Sequence, residues 1–368
     1  MAEMTTSSCS SRPDDPLRAL TFDGPRKIVL ENVPDPAVEQ AGDAIVRVQL
    51  CAICGSDLHV FHGREAGLDH GTVMGHEFVG EVVEVGHDVR ALRAGTRVLS
   101  PFTTSCGSCV HCARGLTSRC TQGQLFGWVQ DGHGLHGAQA QYVRVPLAES
   151  TLVPVPEGVG AVEALLLGDV LTTGFFAAQR ADIRPDGVYV VIGCGPVGLS
   201  AVIGAREHGA ERVIAIDSVA ERLALAERFG ASSLDRSKQD PSAALAEITD
   251  GCGADAVLEV VGSAEAHRLA VELVRPGGTV SVVGVHNGAT FGFSPAEAYD
   301  KNLTYRVGRC PARHLLDSVV PMVQRGSYDL ASIVSHRMPL AGGVEGYRIF
   351  DEKREGCTKV VLTPDRDA

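Results

Sequence analysis

The chain is poor in aromatic residues and in basic charge. It has one Trp and six Tyr among 368 residues, and 33 Lys and Arg stand against 45 Asp and Glu, a formal net charge of −12. A nucleic-acid groove needs the opposite sign of charge, so that class of partner is excluded. Anionic membrane surfaces are disfavoured for the same reason. The first 16 residues, MAEMTTSSCSSRPDDP, lack any apolar core of a secretory signal and read as a flexible polar tail. Long hydrophobic runs are missing too. The charge-free stretch nearest to membrane length, Gly187 to Ala205, is broken by Pro196 and five glycines and has no aromatic or basic belt. It reads as a strand, a tight turn and a buried helix. An even, exported set of cysteines is also lacking. Eleven clustered thiols point to metal binding in a reducing cytoplasm rather than to a disulfide framework.

What is present is globular: 44% hydrophobic and 21% charged residues, over a length that suggests two or three domains. From 17 to about 150, short β-type runs alternate with Gly and Pro breaks, as in Lys27 to Val33, Ala44 to Leu50, Phe78 to Val85 and Gln139 to Val145. From 188 the pattern changes. A strand at Val188 to Ile192 leads into a helix ending near His208, then a strand at Arg212 to Asp217. A helix at 219–229, a strand at 255–261, a helix at 264–274 and a strand at 279–285 continue the alternation. Strands separated by helices imply a parallel sheet of βαβ units, and the whole chain is α/β.

Two groups of metal-type residues precede that sheet. Cys106, Cys109, Cys112 and Cys120 form C-x2-C-x2-C-x7-C. Four thiolates so close in sequence complete a closed tetrahedral shell, the pattern of a structural zinc, with four-thiolate iron as the chemical rival. Arg114 and Arg119 lie in the same loop and offset its negative charge, and His111 is a substitute ligand the shell does not need. The second group is sparser. Cys54 and His76 are separated by 21 residues, and a thiolate and an imidazole meet at one ion only if the fold joins them. By themselves they are equally well read as an ordinary buried cysteine and a core histidine.

The third signal is Val188 to Gly198, a strand closed by G-x-G-x-x-G: Gly193, Gly195, Pro196, Val197 and Gly198 open a helix after a tight turn. Glycines there let a pyrophosphate approach the helix N-terminus. Asp217 follows 19 residues after Gly198 at the end of the next strand. Its carboxylate suits both hydroxyls of an adenosine ribose and repels a 2′-phosphate, which favours NAD(H) over NADP(H).

Gly75 to Val89 reads GHEFVGEVVEVGHDV, with Gly75, His76, Glu77, Gly80, Gly86 and Val89 matching G-H-E-x2-G-x5-G-x2-V. With the four-cysteine lobe and the glycine turn in the same order, the chain resembles the zinc-containing medium-chain alcohol dehydrogenases from about residue 18 to 365. The resemblance implies a GroES-like β-barrel catalytic domain at 17–170 with a structural zinc lobe at 102–122. A Rossmann domain at 171–307 and a return to the catalytic domain at 308–368 complete it. It implies two zinc ions per chain, the catalytic one held by Cys54, His76 and a third donor. Where liver-type members have a cysteine, this sequence has Asp169, a departure similar to the formaldehyde-dehydrogenase-like branch. The other reading of Asp169 is a helix N-terminal carboxylate. Glu77 is expected behind the metal, as an alternate ligand or as support for its neighbours.

The same resemblance places Arg222 by the adenosine, Thr173 behind the nicotinamide, and Val261, Gly284 and Val285 at the carboxyl edge of the sheet. Lys359 matches a basic residue near the pyrophosphate, its plain reading being a solvated strand-end lysine. Ser56 matches a hydroxyl that takes the proton of an alcohol, His59 the imidazole that passes it to solvent, and Phe102 a pocket-lining ring. The activity implied is hydride transfer between an alcohol, or its aldehyde or ketone, and NAD(H). The alternatives are a dismutase or aldehyde reductase with tightly held NAD(H), or a non-catalytic NAD(H)-binding protein. A homodimer or homotetramer joined through an edge strand near 301–306 is also implied. Gly132 to Gly137, which carries His133 and His136, reads either as a loop that shapes substrate access or, the favoured reading, as a plain solvent loop; His62 and His70 are further candidates to face the pocket, and nothing in the residues assigns a role among the four.

Overall fold

Five consecutive apolar residues, Val188–Ile192, are all buried, so the run needs cover on both faces. In the computed structural model, which describes residues 16–288 and 290–364, it lies inside a six-stranded sheet. The order is Ser232–Asp235, Arg212–Asp217, Val188–Ile192, Ala254–Glu259, Val274–Val282, Thr304–Val307, and every neighbouring pair is parallel. The chain winds outward from Val188–Ile192 on one side, then returns to its other side with Ala254–Glu259. That reversal opens a crevice beyond Ile192 and Glu259, the place where such sheets bind ligands. The tail expected at 1–16 lies, Pro16 apart, outside the described residues.

Two strands stop earlier than the apolar pattern suggests, and the reason is local. The buried Glu259 carboxylate accepts the N–H groups of Val261 and Gly262, both at 2.8 Å, and pulls the chain out of the ladder at 259 rather than 261. The next strand runs Val274–Val282 instead of 279–285, and the Val283 and Gly284 N–H groups turn onto the Glu259 carbonyl. Residues 260–262 and 283–285 thereby become walls of the crevice.

The β-rich first part forms a second sheet around the long strand Ala44–Ile53, which pairs with Phe78–Val85, Tyr142–Val145 and Val360–Thr363. Of the run expected at 139–145 only Tyr142–Val145 is strand. Val361 lies opposite Ala52, so the last strand of the described chain is built into the sheet of its first part. A smaller sheet joins Ile28–Val33, Leu17–Phe22 and Thr72–Val73. The segment 132–137 is not the plain solvent loop expected of it. His133–Leu135 pairs with Trp128–Gln130, Leu135 is buried, and a side chain on Gly137 would lie 2.3 Å from the Gly75 carbonyl, so the segment packs on the G-H-E turn.

Among the described residues no single helix is long and apolar enough to cross a membrane; the bent pair Ala161–Leu167 and Val170–Gln179 has the composition but is core, with every residue from Val170 to Ala178 buried. The second of these helices lies on Pro196–Glu207, which starts at the glycine turn. Gly174 permits the approach: a Cβ there would sit 2.4 Å from the Ser200 carbonyl carbon and 2.5 Å from the Ala201 nitrogen. In a solvated helix Gly→Ala stabilises by about 1 kcal/mol. Here overpacking reverses the sign, and Gly174→Ala is expected to lower unfolding free energy by about 1–3 kcal/mol in urea titration.

Candidate active site

The cysteine lobe is assembled by short turns. Gly107 and Gly115 have φ of +72° and +77°, and the four sulfurs of Cys106, Cys109, Cys112 and Cys120 lie within 4.8 Å of one another. The Cys109 and Cys120 sulfurs are 4.0 Å apart, close to the edge of a tetrahedron built on Zn–S bonds of about 2.3 Å. The Cys106 N–H donates to Cys120 Sγ at 3.2 Å and the Cys109 N–H to Cys106 Sγ at 3.3 Å. Backbone donors, that of Cys112 foremost, hold the Cys109 thiol down to about 5. Burial, foremost, pushes the Cys112 thiol up to about 12, so a cation is needed to draw its proton off. All ten cysteines among the described residues are free of disulfides.

The second group converges as well. Cys54 follows the long strand Ala44–Ile53, His76 and Glu77 follow the positive-φ Gly75, and Asp169 stands before Val170–Gln179. All four are buried and each offers a donor atom within 4.8 Å of the others. Asp169 Oδ2 is 3.6 Å from Cys54 Sγ and 3.2 Å from His76 Nε2. Those separations match the edges of a tetrahedral shell with bonds of about 2.0–2.3 Å, so the donor set fits zinc. Asp169 stands at the N-terminus of its helix but makes no side-chain cap hydrogen bond to it. Its other oxygen, Oδ1, accepts the Thr173 hydroxyl at 3.1 Å, which turns Oδ2 toward the cluster. Thr173 therefore holds the Asp169 carboxylate, a contact that carried no signal in the sequence.

One residue of this centre escaped the sequence. Asp57 Oδ1 is 3.3 Å from His76 Nδ1, and its Oδ2 accepts the Cys54 N–H at 2.9 Å. A carboxylate behind a ligating imidazole fixes the tautomer and leaves Nε2 free for the metal. Burial pushes His76 toward neutrality, but Asp57 foremost and Asp169 next outweigh it and hold the imidazole well above its usual range. The positive charge that the cluster draws onto His76 is the charge a metal ion would supply. The signal available was Cys54-x2-Asp57, but a carboxylate three residues from a thiol has many other uses.

Glu77 and Lys359 are both fully buried, and Lys359 Nζ reaches Glu77 Oε1 at 2.5 Å. Lys359 is thus not a solvated strand-end lysine. Burial pushes it down, and Glu77 foremost more than compensates, so it is held charged. Glu77 Oε2 has no hydrogen-bond partner. An orphaned buried carboxylate oxygen next to three metal donors fits a cation as neighbour.

Ser56 and His59 lie on one turn, the His59 N–H donating to the Ser56 carbonyl at 3.0 Å. Ser56 Oγ is 3.2 Å from His76 Nε2, against the metal-facing atom. His59 Nδ1 is 3.4 Å from Asn287 Nδ2, which joins the first part of the chain to the loop just past Val285. Burial, then nearby Arg64 and His62, lower the His59 pKa. The Phe102 ring stands edge-on to His76 at 6.4 Å and packs with Phe176, Cys310 and Leu315, of which the last three carried no signal in the sequence. His62 pairs with Asp351, His70 with Asp23, and His136 accepts the Val73 N–H. His133 is exposed on its short strand, and none of the four belongs to the metal cluster.

The glycine turn is sterically obligatory. Gly193 has φ of +92°, and a Cβ on Gly198 would lie 1.7 Å from the Gly193 carbonyl oxygen. Gly195 precedes Pro196 at the helix start, so free N–H groups face the crevice. Asp217 Oδ2 accepts the Cys194 N–H at 2.7 Å and Oδ1 those of Ser218 and Val219, which pins the carboxylate beside the turn. Arg222 gives Nε and Nη2 to the Cys357 carbonyl at 3.1 and 2.6 Å. Val261 and Val285 stay 46% and 39% exposed, apolar surface left uncovered at the crevice, and Gly284 packs on Gly262.

Comparison with known proteins agrees with this geometry. Residues 40–157 match the family model of the alcohol dehydrogenase GroES-like domain and 196–325 that of zinc-binding dehydrogenases. The chain is 43% identical over 347 residues to zinc-type alcohol dehydrogenase B of Aspergillus flavus, covering 92% of this chain and 79% of that protein. It is 32% identical to the NADP-dependent isopropanol dehydrogenase of Thermoanaerobacter brockii, covering 87% and 92%. Among solved structures it superposes on the alcohol dehydrogenase of Thermus sp. ATN1 with a TM-score of 0.87 and 38% identity, over 94% and 99% of the two chains.

The buried Glu77–Lys359 pair sets a test of this centre. Lys359→Met strands a carboxylate in the core, and unfolding free energy in urea is expected to drop by about 3–5 kcal/mol. Pairing it with Glu77→Gln should recover part of that loss.

Proposed function

The chain belongs to the zinc-containing medium-chain alcohol dehydrogenases, and on that premise we propose that it moves a hydride between an alcohol, or its aldehyde or ketone, and NAD(H), with Cys54, His76 and Asp169 as the catalytic-zinc ligands. One observation carries the reading: buried donors from three distant segments meet at tetrahedral spacing, and His59 beside them touches the loop that walls the nucleotide crevice. With Asp169 as the third donor, the chain takes the carboxylate variant, as in the formaldehyde-dehydrogenase-like branch. Cys106, Cys109, Cys112 and Cys120 hold a second, structural zinc.

When bound, the zinc supplies Lewis acidity that makes an alcohol hydroxyl a stronger acid, and NAD⁺ supplies the acceptor for its hydride. The rest is done by this chain. Cys54 and Asp169 carry two negative charges against the ion, and Asp57 holds the Nδ1 side of His76 so that Nε2 is the atom turned to it. Thr173 holds Asp169 in place. Ser56, against His76 Nε2, takes the proton of the alcohol, and His59 carries it toward solvent; its lowered pKa keeps it an acceptor at neutral pH. Phe102 lines the substrate side and excludes water. Gly193, Gly195 and Gly198 admit the pyrophosphate, Val261, Gly284 and Val285 wall the nicotinamide end, and Arg222 and Asp217 frame the adenosine. Lys359 and Glu77 form the charged floor under the ligands, with Glu77 Oε2 as a fourth donor at need. The edge strand Thr304–Val307 is the seam of a homodimer or homotetramer.

Asp217 decides between cofactors. The isopropanol dehydrogenase relative uses NADP, but a pinned carboxylate at the ribose position repels a 2′-phosphate. Asp217→Ala is expected to cost roughly tenfold or more in NAD⁺ binding and to narrow the NAD/NADP ratio of kcat/KM by a similar factor. An unchanged ratio overturns the NAD assignment. For the metal, Cys54→Ala should lower zinc content from two ions per chain to one and cut alcohol-dependent NADH formation by about 10³-fold. Full turnover by that variant would leave the zinc reading without support.

A further inference from the structure

Behind Asp57 the hydrogen bonds continue in a fixed direction. Gln139 Nε2 donates to Asp57 Oδ2 at 3.3 Å and to the Ala52 carbonyl at 3.1 Å. The Tyr347 hydroxyl donates to Gln139 Oε1 at 2.9 Å. Asp57, Gln139 and Tyr347 are all buried, the last two at 0% exposure. We infer that Gln139 and Tyr347 are positioning residues of the catalytic metal centre: through Asp57 they set the rotation and tautomer of His76.

The polarity of this chain has no freedom. The Ala52 carbonyl can only accept, so the amide nitrogen of Gln139 must face it. Its oxygen then faces Tyr347, whose hydroxyl must donate. Asp57 Oδ2 thus receives two donors, the Gln139 amide and the Cys54 N–H, which fixes the plane of the carboxylate. Oδ1 is left for His76 Nδ1, so the imidazole presents a bare Nε2 to the ion. The G-H-E glycine belongs to the same arrangement. A Cβ on Gly75 would lie 2.5 Å from Gln139 Cγ, at a φ of +89°. That glycine therefore makes room for the Gln139 side chain. Tyr347 lies in the helix Gly343–Glu352, so the C-terminal part of the chain takes part in tuning a ligand near its beginning.

The inference rests on the zinc reading of Cys54, His76 and Asp169, and its test separates the two. Zinc affinity of each site is read by competition with a chromophoric chelator, in wild type, Tyr347→Phe, Gln139→Leu and the double variant, with the four-cysteine site as internal reference. Gln139→Leu is expected to weaken the catalytic site by about 10- to 100-fold, the range for partners of a metal-bound histidine. Tyr347→Phe keeps the ring and removes one hydrogen bond, and should weaken it about fivefold. The double variant should match Gln139→Leu alone, because Tyr347 acts through Gln139, and the four-cysteine site should not change. If Tyr347→Phe binds zinc like wild type, or if the two losses multiply, the relay is overturned. That result also decides the matter should Gln139→Leu fail to fold. A wild-type chain with no zinc outside the four-cysteine site overturns the relay together with the zinc reading.

Discussion

Four acidic groups buried around one imidazole govern this molecule. The Cys54 thiol and the carboxyls of Asp169 and Glu77, all buried, lie within 4.8 Å of each other and of His76, and the Asp57 carboxyl lies 3.3 Å from His76 Nδ1. Burying like charges together is among the costliest arrangements a protein can make, unless positive charge joins them. Lys359 brings one such charge through Glu77, and the donor geometry leaves a place for a divalent ion to bring the rest. Much of the fold serves to bring these groups together from far apart. The long strand Ala44–Ile53 delivers Cys54, the Gly75 turn delivers His76 and Glu77, and the packing of Val170–Gln179 on Pro196–Glu207 delivers Asp169.

The two halves of the site depend on that last packing. Gly174 lets the helix behind Asp169 lie directly on the helix that starts at the glycine turn, so the Cys54–His76–Asp169 cluster and that turn share one close contact. Glu259 adds a second link. By capturing the N–H groups of Val261 and Gly262, and the His286 ring at 2.8 Å, it shapes the crevice wall and the start of the loop that reaches His59 through Asn287. The crevice wall and the cluster around His76 are thereby held in register by side-chain hydrogen bonds and close helix contact.

Parts of this were legible in advance. The strands around Val188–Ile192 and Arg212–Asp217 declare themselves because strands buried on both faces must be continuously apolar, and the glycine turn because no Cβ fits at Gly198. The strand ends at Glu259 and Val282 were missed, since a side-chain carboxylate ended pairing inside an apolar run. The packed hairpin at 128–135 was missed for a related reason. The run from Gly132 to Gly137 reads as a solvent loop, but Gly134 and Gly137 let backbones touch.

The local spacing of residues determined the four-cysteine lobe, the nucleotide turn and the family to which the chain belongs, because each is closed by a few bonds within one short segment. Tertiary structure alone decided that Asp57, Gln139 and Tyr347 stand in line behind His76 and that Lys359 is sealed against Glu77. Those contacts span 82, 208 and 282 residues. A hydrogen bond between such distant segments imposes no period and no motif on either of them, so it exists only once the sheets and helices have brought the backbones together.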